Sequence, residues 1–345
     1  LNLLVPLLSI AASAATTATA VWPLRRLARA RGFVARPRAD RFHDRTVPLL
    51  GGPACVLGLF AAVILAAMLG AGTRHAAAAE GRLLIAAIAG ILGLSALGLR
   101  DDRRSLPPFP KAALEGLVLL AVLWIWQPSG RLAGLIPGSI AWVWAMLMVN
   151  AWNYLDHADG IFSATLVVSS AMVAALCGGA IGGWVVPGLL WGLCGAGVGF
   201  LAWNKPPARV FLGDAGSLPL GFASILAGLA IFDRVPADLL GAGLAGQALP
   251  LSDFLLVTGV RLRAGRSPFV GGREHTGHRL TLRLGPRRAI LVAGLAAAIL
   301  CAIGFFAGSA PAVVAIGAVL LGTGILALLV GRLPSPDTPR PPATR

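Results

Sequence analysis

Long apolar runs that return at short intervals leave this chain few architectures. Eleven of them, at approximately 2–22, 49–71, 83–99, 112–127, 139–155, 160–180, 183–203, 217–232, 239–260, 289–308 and 311–331, come near the length of about 20 residues that a helix needs to cross a bilayer. Backbone N–H and C=O groups find no water in lipid, so a spanning segment must satisfy them internally. The runs therefore predict an all-α, polytopic integral membrane protein of about 11 transmembrane helices. Composition agrees, because 57% of the 345 residues are hydrophobic and only 12% are charged, too few to clothe a water-soluble fold. One transmembrane domain is expected over residues 1–331, followed by a Pro-rich cytoplasmic tail at 332–345 that is expected to be disordered. Positive charges follow the first run instead of preceding it, the reverse of a secretory signal, so this run is read as the first span.

If the segments alternate, 25 of the 29 Lys and Arg residues fall on one side, leaving Arg74, Arg82, Arg131 and Arg234 opposite. The positive-inside rule then places the N-terminus outside and the C-terminus in the cytoplasm. The formal net charge of +15 belongs to loops that flank membrane helices and comes with no nucleic-acid-binding motif. Anionic membrane lipids and a phosphorylated substrate suit it better than nucleic acid does. Cys55, Cys177, Cys194 and Cys301 lie inside apolar runs without a C-x-x-C pair and read as small core residues.

Against this charge-poor background, carboxylates gather at the cytoplasmic ends of segments. Asp101 and Asp102 in GLRDDRRS repel each other unless a cation or a proton intervenes, which suits a divalent metal or a base. In NAWNYLDHADG, Asn150, Asn153, Asp156 and Asp159 recur every third residue at the end of an apolar helix, with Gly160 where helical geometry stops or restarts. Amides there can donate to phosphate and carboxylates can hold Mg²⁺. In VFLGDAGS, Gly213 and Gly216 flank Asp214 at a helix start, making it the strongest single candidate metal ligand, and Ser217 can cap or meet phosphate. The segment RLRAGRSPFVGGREHTGHRL carries Arg273, His275 and His278. If helical, the two histidines share a face among guanidinium groups, which suits a phosphate clamp more than zinc. Gly51 and Gly52 permit close approach either to a ligand or to another helix.

Taken in order, the segment from Pro37 to His43 with PLLGG, then GLRDD, N-x-x-N-x-x-D-x-x-D-G, N-x-P-P-A with FLGDAGS, P-x-x-D at Pro250 to Asp253, and the terminal R-x-H resemble the polyprenyl-phosphate N-acetylhexosamine-1-phosphate transferases. That superfamily holds phospho-MurNAc-pentapeptide translocase and the GlcNAc-1-phosphate transferases that prime O-antigen. The resemblance implies an enzyme of the bacterial inner membrane with its active site facing the cytoplasm. It would move a HexNAc-1-phosphate from a UDP-N-acetylhexosamine to undecaprenyl phosphate, releasing UMP, with Mg²⁺ or Mn²⁺ as cofactor. By position, Asp214 and Asp102 look like metal ligands, and Asp101, Asp102 and Asp214 form the catalytic set. Asn150, Asn153, Asp156 and Asp159 look like nucleotide and diphosphate contacts, Phe211 like a uracil-stacking ring, and Arg273, His275 and His278 like the sugar or phosphate clamp. A homodimer remains open. His157 departs from the family's usual Gly, Thr46 from its Pro after His43, and Glu115 from a frequent Gln.

A competing reading from another class is an ion- or proton-coupled transporter. It predicts acids near the bilayer midplane and repeated halves, whereas these acids cluster at one face and no repeat is visible. A CDP-alcohol phosphotransferase is disfavoured because Ile161, Phe162 and Ser163 follow the Asp-Gly pair. An inactive homologue would not need to keep all five acids.

Overall fold

The computed structural model describes residues 3–35, 45–70, 77–178, 180–236, 239–268, 272–307 and 312–333. The Pro37–His43 motif, Arg74 and the tail from 334 lie outside the described residues.

Among the described residues eight helices are long and apolar enough to cross a membrane. They are α1 (Leu4–Arg31), α2 (Gly51–Gly70), α3 (Ala77–Arg103), α4 (Pro108–Trp126), α5 (Leu135–Leu155), α7 (Val185–Asn204), α8 (Asp214–Arg234) and α12 (Pro286–Ala307). Two more apolar helices, α6 (Ile161–Cys177) and α13 (Ala312–Gly331), follow the sequence expectation closely. A two-residue antiparallel pair, β1 (Val34–Ala35) with β2 (Val47–Pro48), ties the segments between α1 and α2. All four cysteines are free and buried.

The ninth expected span is not one helix. It divides into α9 (Leu240–Ala245) and α10 (Ala248–Arg263), with the break at Gly246 and Gln247. Gln247 is 3% exposed, and its amide is fully engaged. Nε2 donates to the Ser224 carbonyl (3.2 Å) and hydroxyl (3.0 Å), while Oε1 accepts from Trp152 Nε1 at 2.6 Å. A buried amide must be hydrogen-bonded, and Pro250 in the first turn of α10 suits a helix start because no intrahelical N–H is needed there.

Helix α8 is the hub. In its apolar window 94% of residues are buried, and α2, α3, α5, α7 and α9 pack around it. Gly52 of α2 rests backbone to backbone on Gly216 of α8, so the Gly51–Gly52 pair serves helix packing. Helix ends sort into two layers. At the far end, Glu80 accepts the Trp184 (3.0 Å) and Val185 (2.9 Å) N–H groups and pairs with Arg234 at 3.1 Å. Arg131 there donates to the Phe232 and Val235 carbonyls, and Arg82 to Gln127. At the near end the last turns of α3, α5 and α7 meet the first turns of α4 and α8 and the short helix α11 (Thr276–Leu284).

Candidate active site

Asp101 and Asp102 lie within the last turn of α3 and not in the loop after it. Asp101 turns Oδ1 to the Leu106 N–H at 2.7 Å, which folds the chain back into α4. That turn delivers Lys111, on the first turns of α4, between two acids: its ammonium lies 3.4 Å from Asp101 Oδ2 and in direct contact with Asp214 Oδ2. Glu115, one turn further along α4 and wholly buried, accepts from Asn150 Nδ2 at 2.8 Å.

Asp214 is the first residue of α8, and its approach to α3 depends on Gly213. That residue has φ +71°, and an added Cβ would press on the Asp102 carboxylate. Asp102 accepts the Asp214 N–H on Oδ1 (2.9 Å) and the Ala215 N–H on Oδ2 (3.1 Å). It thus caps α8 from another helix, satisfying two of the N–H groups that a helix start leaves open. From α5, Asn153 Nδ2 donates to Asp214 Oδ1 (3.1 Å) and to Ser217 Oγ (2.8 Å).

Helix α5 ends at Leu155, so Asp156 is its C-cap and does not continue the helical face of Asn150 and Asn153. Burial, then the charges of Asp214, Asp102 and Asp159, push the Asp156 carboxyl well above the usual range, while the Gly213 N–H opposes this. Asp159 accepts the Ala208 N–H at 2.8 Å, and Gly160 donates to Asn204 Oδ1 at 2.9 Å, which fixes the turn between α5 and α6 against the loop before α8. Phe211 is half-buried. Its N–H donates to the Pro48 carbonyl (2.9 Å) and its own carbonyl accepts from Gly51 (3.1 Å), pinning that loop to β2.

The five acids singled out from sequence therefore meet at one end of the bundle. Lys111 is not among the residues singled out from sequence, and its spacing of four from Glu115 at the start of α4 is the signal that could have found it.

A second cluster adjoins the first. Asp253 of α10, fully buried, accepts from His275 Nδ1 (2.8 Å) and from the Thr276 N–H (2.6 Å). His157 lies on this side as well, stacked on His275 with ring centroids 4.3 Å apart. His275 is the N-cap of α11 and precedes the helix, so the two expected clamp residues do not share a helical face: the His275 and His278 rings stand 5.9 Å apart at 87°. His278 is 3% exposed, and its Nε2 donates to the His157 carbonyl at 3.0 Å. Arg273 is half-buried just ahead of them.

Two groups of donors could hold a cation. At the first, the protein places its own ammonium between Asp101 and Asp214, a set of hard oxygens that fits Mg²⁺. Asp102 stands beside it with both oxygens turned to backbone N–H groups. At the second, donor atoms of His157, Asp253 and His275 lie within 4.8 Å of one another. There His157 Nδ1–H donates a hydrogen bond to the Tyr154 carbonyl at 2.7 Å, so that nitrogen has no lone pair to offer a metal.

The chain is thus a polytopic helical membrane protein that gathers acids, a lysine and asparagines at one end of its bundle. The family model for glycosyl transferase family 4 matches residues 84–232. A Streptomyces coelicolor protein that carries the provisional name of glycosyltransferase is 37% identical over 315 residues, covering 86% of this chain and 71% of its own length. The decaprenyl-phosphate N-acetylglucosaminephosphotransferase of Mycobacterium tuberculosis is 31% identical over 314 residues (81% of this chain, 77% of that one). The undecaprenyl-phosphate alpha-N-acetylglucosaminyl 1-phosphate transferase of Yersinia pestis is 30% identical over 299 residues (79% and 76%). The chain belongs to glycosyl transferase family 4.

Proposed function

We propose that the protein transfers a HexNAc-1-phosphate from a UDP-N-acetylhexosamine to undecaprenyl phosphate at the cytoplasmic face of a bacterial inner membrane, priming a cell-envelope glycan. The observation that carries this reading is the Lys111 ammonium held between Asp101 and Asp214. It marks a cation position beside the N-terminus of α8, where phosphate oxygens find backbone N–H groups. The basic charge of the near-end loops supports a cytoplasmic position for that end under the positive-inside rule. An apolar cavity of about 230 Å³ between α5, α8, α9, α10 and α13, lined in part by Ile140, Trp144, Phe232 and Leu251, lies toward the far end of the bundle, away from the acids, and suits isoprenoid units of the lipid tail but not its phosphate.

In the reaction, an oxygen of the lipid phosphate bonds to the β-phosphorus as the bond to the bridging oxygen breaks, and UMP leaves with that oxygen. Asp214 and Asp101 would hold Mg²⁺ or Mn²⁺, with Asp102 adjacent; the ion supplies charge neutralisation of the diphosphate when bound. Asp102 keeps the start of α8, and so Asp214, in place. Asn153 orients the second Asp214 oxygen. Lys111 can turn from carboxylate to phosphate. Asn150, Asp156, Asp159 and Phe211 are assigned to the nucleotide side, and Arg273 and His275 to the sugar diphosphate. His278, fixed to the His157 carbonyl, shapes the clamp from behind. Positioning and charge compensation supply most of the rate in such transfers.

The test is UMP release by the purified protein from a panel of UDP-sugars with undecaprenyl phosphate. Release with one or more UDP-HexNAc donors, dependent on the lipid phosphate, is expected. No release with any donor, together with ion flux in vesicles, would replace the transferase by the transporter.

A further inference from the structure

Helix α11 begins with no cap of its own: His275 occupies the N-cap position and its side chain makes no capping hydrogen bond. The open N–H groups of its first turn are taken by residues from elsewhere in the chain. Asp253 accepts from Thr276 at 2.6 Å, and His157 Nε2 accepts from Gly277 at 3.0 Å. His157 makes four further contacts. Its Nδ1 donates to the Tyr154 carbonyl (2.7 Å), its own carbonyl accepts from His278 Nε2 (3.0 Å), its ring stacks on His275 at 4.3 Å and 21°, and its edge meets His278 at 4.9 Å. One residue in the turn that carries Asp156 and Asp159 thus holds the helix that presents His275.

We propose that His157 is a positioning residue: it caps α11 from the α5–α6 turn and fixes the plane of the His275 ring, so that the two clusters act as one site. Asp253 accepts a hydrogen bond from His275 Nδ1–H, which leaves Nε2 as the nitrogen available to a ligand. Stacking then decides where that nitrogen points. The fit is close on both sides, because a Cβ at Gly277 would lie 2.5 Å from His157 Nε2. Burial pushes the His157 pKa well down, with His275 adding to the effect, and a neutral ring is what an acceptor for the Gly277 N–H requires. The catalytic part of this inference rests on His275 meeting the substrate, as assigned above; the capping part does not.

Three variants separate the roles. His157→Phe keeps ring volume and stacking but removes the acceptor, His157→Gln keeps an acceptor at the reach of Nε2, and His157→Ala removes both. Amide hydrogen exchange of the 276–284 stretch in the detergent-solubilised protein is expected to speed up at least about tenfold in the Phe and Ala variants and to stay near the parent in Gln. If the Phe variant does not fold, His157→Asn, too short to reach Gly277, gives the same reading against Gln. Unchanged exchange in all folded variants would overturn the cap. For the coupling, kcat of UMP release is expected to fall about tenfold in His157→Phe with little change in the donor KM. In a His275→Ala background His157→Phe should add no further loss. A full additional loss there would make His157 merely structural. Failure of the parent protein to release UMP would sink the transferase reading while leaving the exchange result to judge the cap.

Discussion

Asp102 of α3 accepts the backbone N–H groups of Asp214 and Ala215 through both of its oxygens, at 2.9 and 3.1 Å. One carboxylate thereby fixes the helix start that carries another. Removing it should loosen α8 before it alters any ligand contact. Asp102→Ala is expected to cost about 2 kcal/mol of stability, since two hydrogen bonds of about 0.5–1.5 kcal/mol each are lost, and Asp102→Asn to cost less because one acceptor oxygen remains. Thermal melts of the apo protein measure this. An Asp102→Ala protein as stable as the parent would show that the start of α8 does not depend on that cap.

Asp214 answers differently. Its carboxylate meets Lys111 and Asn153 and belongs to the proposed cation site, while its backbone keeps its place through Asp102. Asp214→Asn preserves shape and loses the charge that a hard cation needs. The expected outcome is a folded protein whose Mg²⁺-dependent transfer falls by at least about two orders of magnitude, read from UMP release beside an unchanged circular dichroism spectrum. Turnover near the parent level would remove Asp214 from the metal shell.

What the sequence made legible, and what it hid, follows from the range of the interactions. Asn150 and Asn153 at a helical spacing, the Asp101–Asp102 pair and the Gly-Asp-Ala-Gly start of α8 are local patterns, and each appears in the structure near where it was read. Lys111 reaches Asp214 across 103 residues, and His157 reaches Gly277 across 120. No spacing rule carries such pairs. The break at Gln247 was hidden for another reason: one polar residue barely lowers the hydropathy of a long apolar run, yet its amide, once buried against Ser224 and Trp152, interrupts the helix. His278 reads from sequence as a clamp residue beside His275, because its burial against the His157 carbonyl is invisible until α11 packs.

That burial gives His278 a pH signature. Desolvation, with His275 next and despite Asp253, pushes its pKa down from 6.5 to about 4. The folded protein keeps the ring neutral where the unfolded chain would protonate it. Its contribution to stability is therefore complete above pH 6.5 and is lost as pH falls from 6.5 toward 4, by up to about 1.4 kcal/mol per pH unit. His157 adds in the same direction, and Asp156, pushed up by burial, works in the opposite one. Comparison with His278→Gln isolates the one ring, since an amide can still donate to the His157 carbonyl. The stability advantage of the parent over this variant should shrink across that window; an advantage constant with pH would mean that His278 is not held neutral.

Lys111 makes the last prediction, because it is at once a stabilising partner and a competitor. Asp101 and Asp214 face each other through its ammonium. Lys111→Met keeps the aliphatic stem and deletes the charge, leaving two carboxylates that repel at close range. The apo variant should melt several degrees below the parent, by about 1–3 kcal/mol for a part-buried ion pair left without its cation. Added Mg²⁺ should then raise its melting temperature more than that of the parent, since the ion both relieves the repulsion and no longer displaces an ammonium. Transfer should nonetheless fall, because the same side chain is assigned to the phosphate. Melting curves with and without Mg²⁺, set beside UMP release, read all three effects. If the variant gained no more from Mg²⁺ than the parent does, the cation position would lie elsewhere than between Asp101 and Asp214.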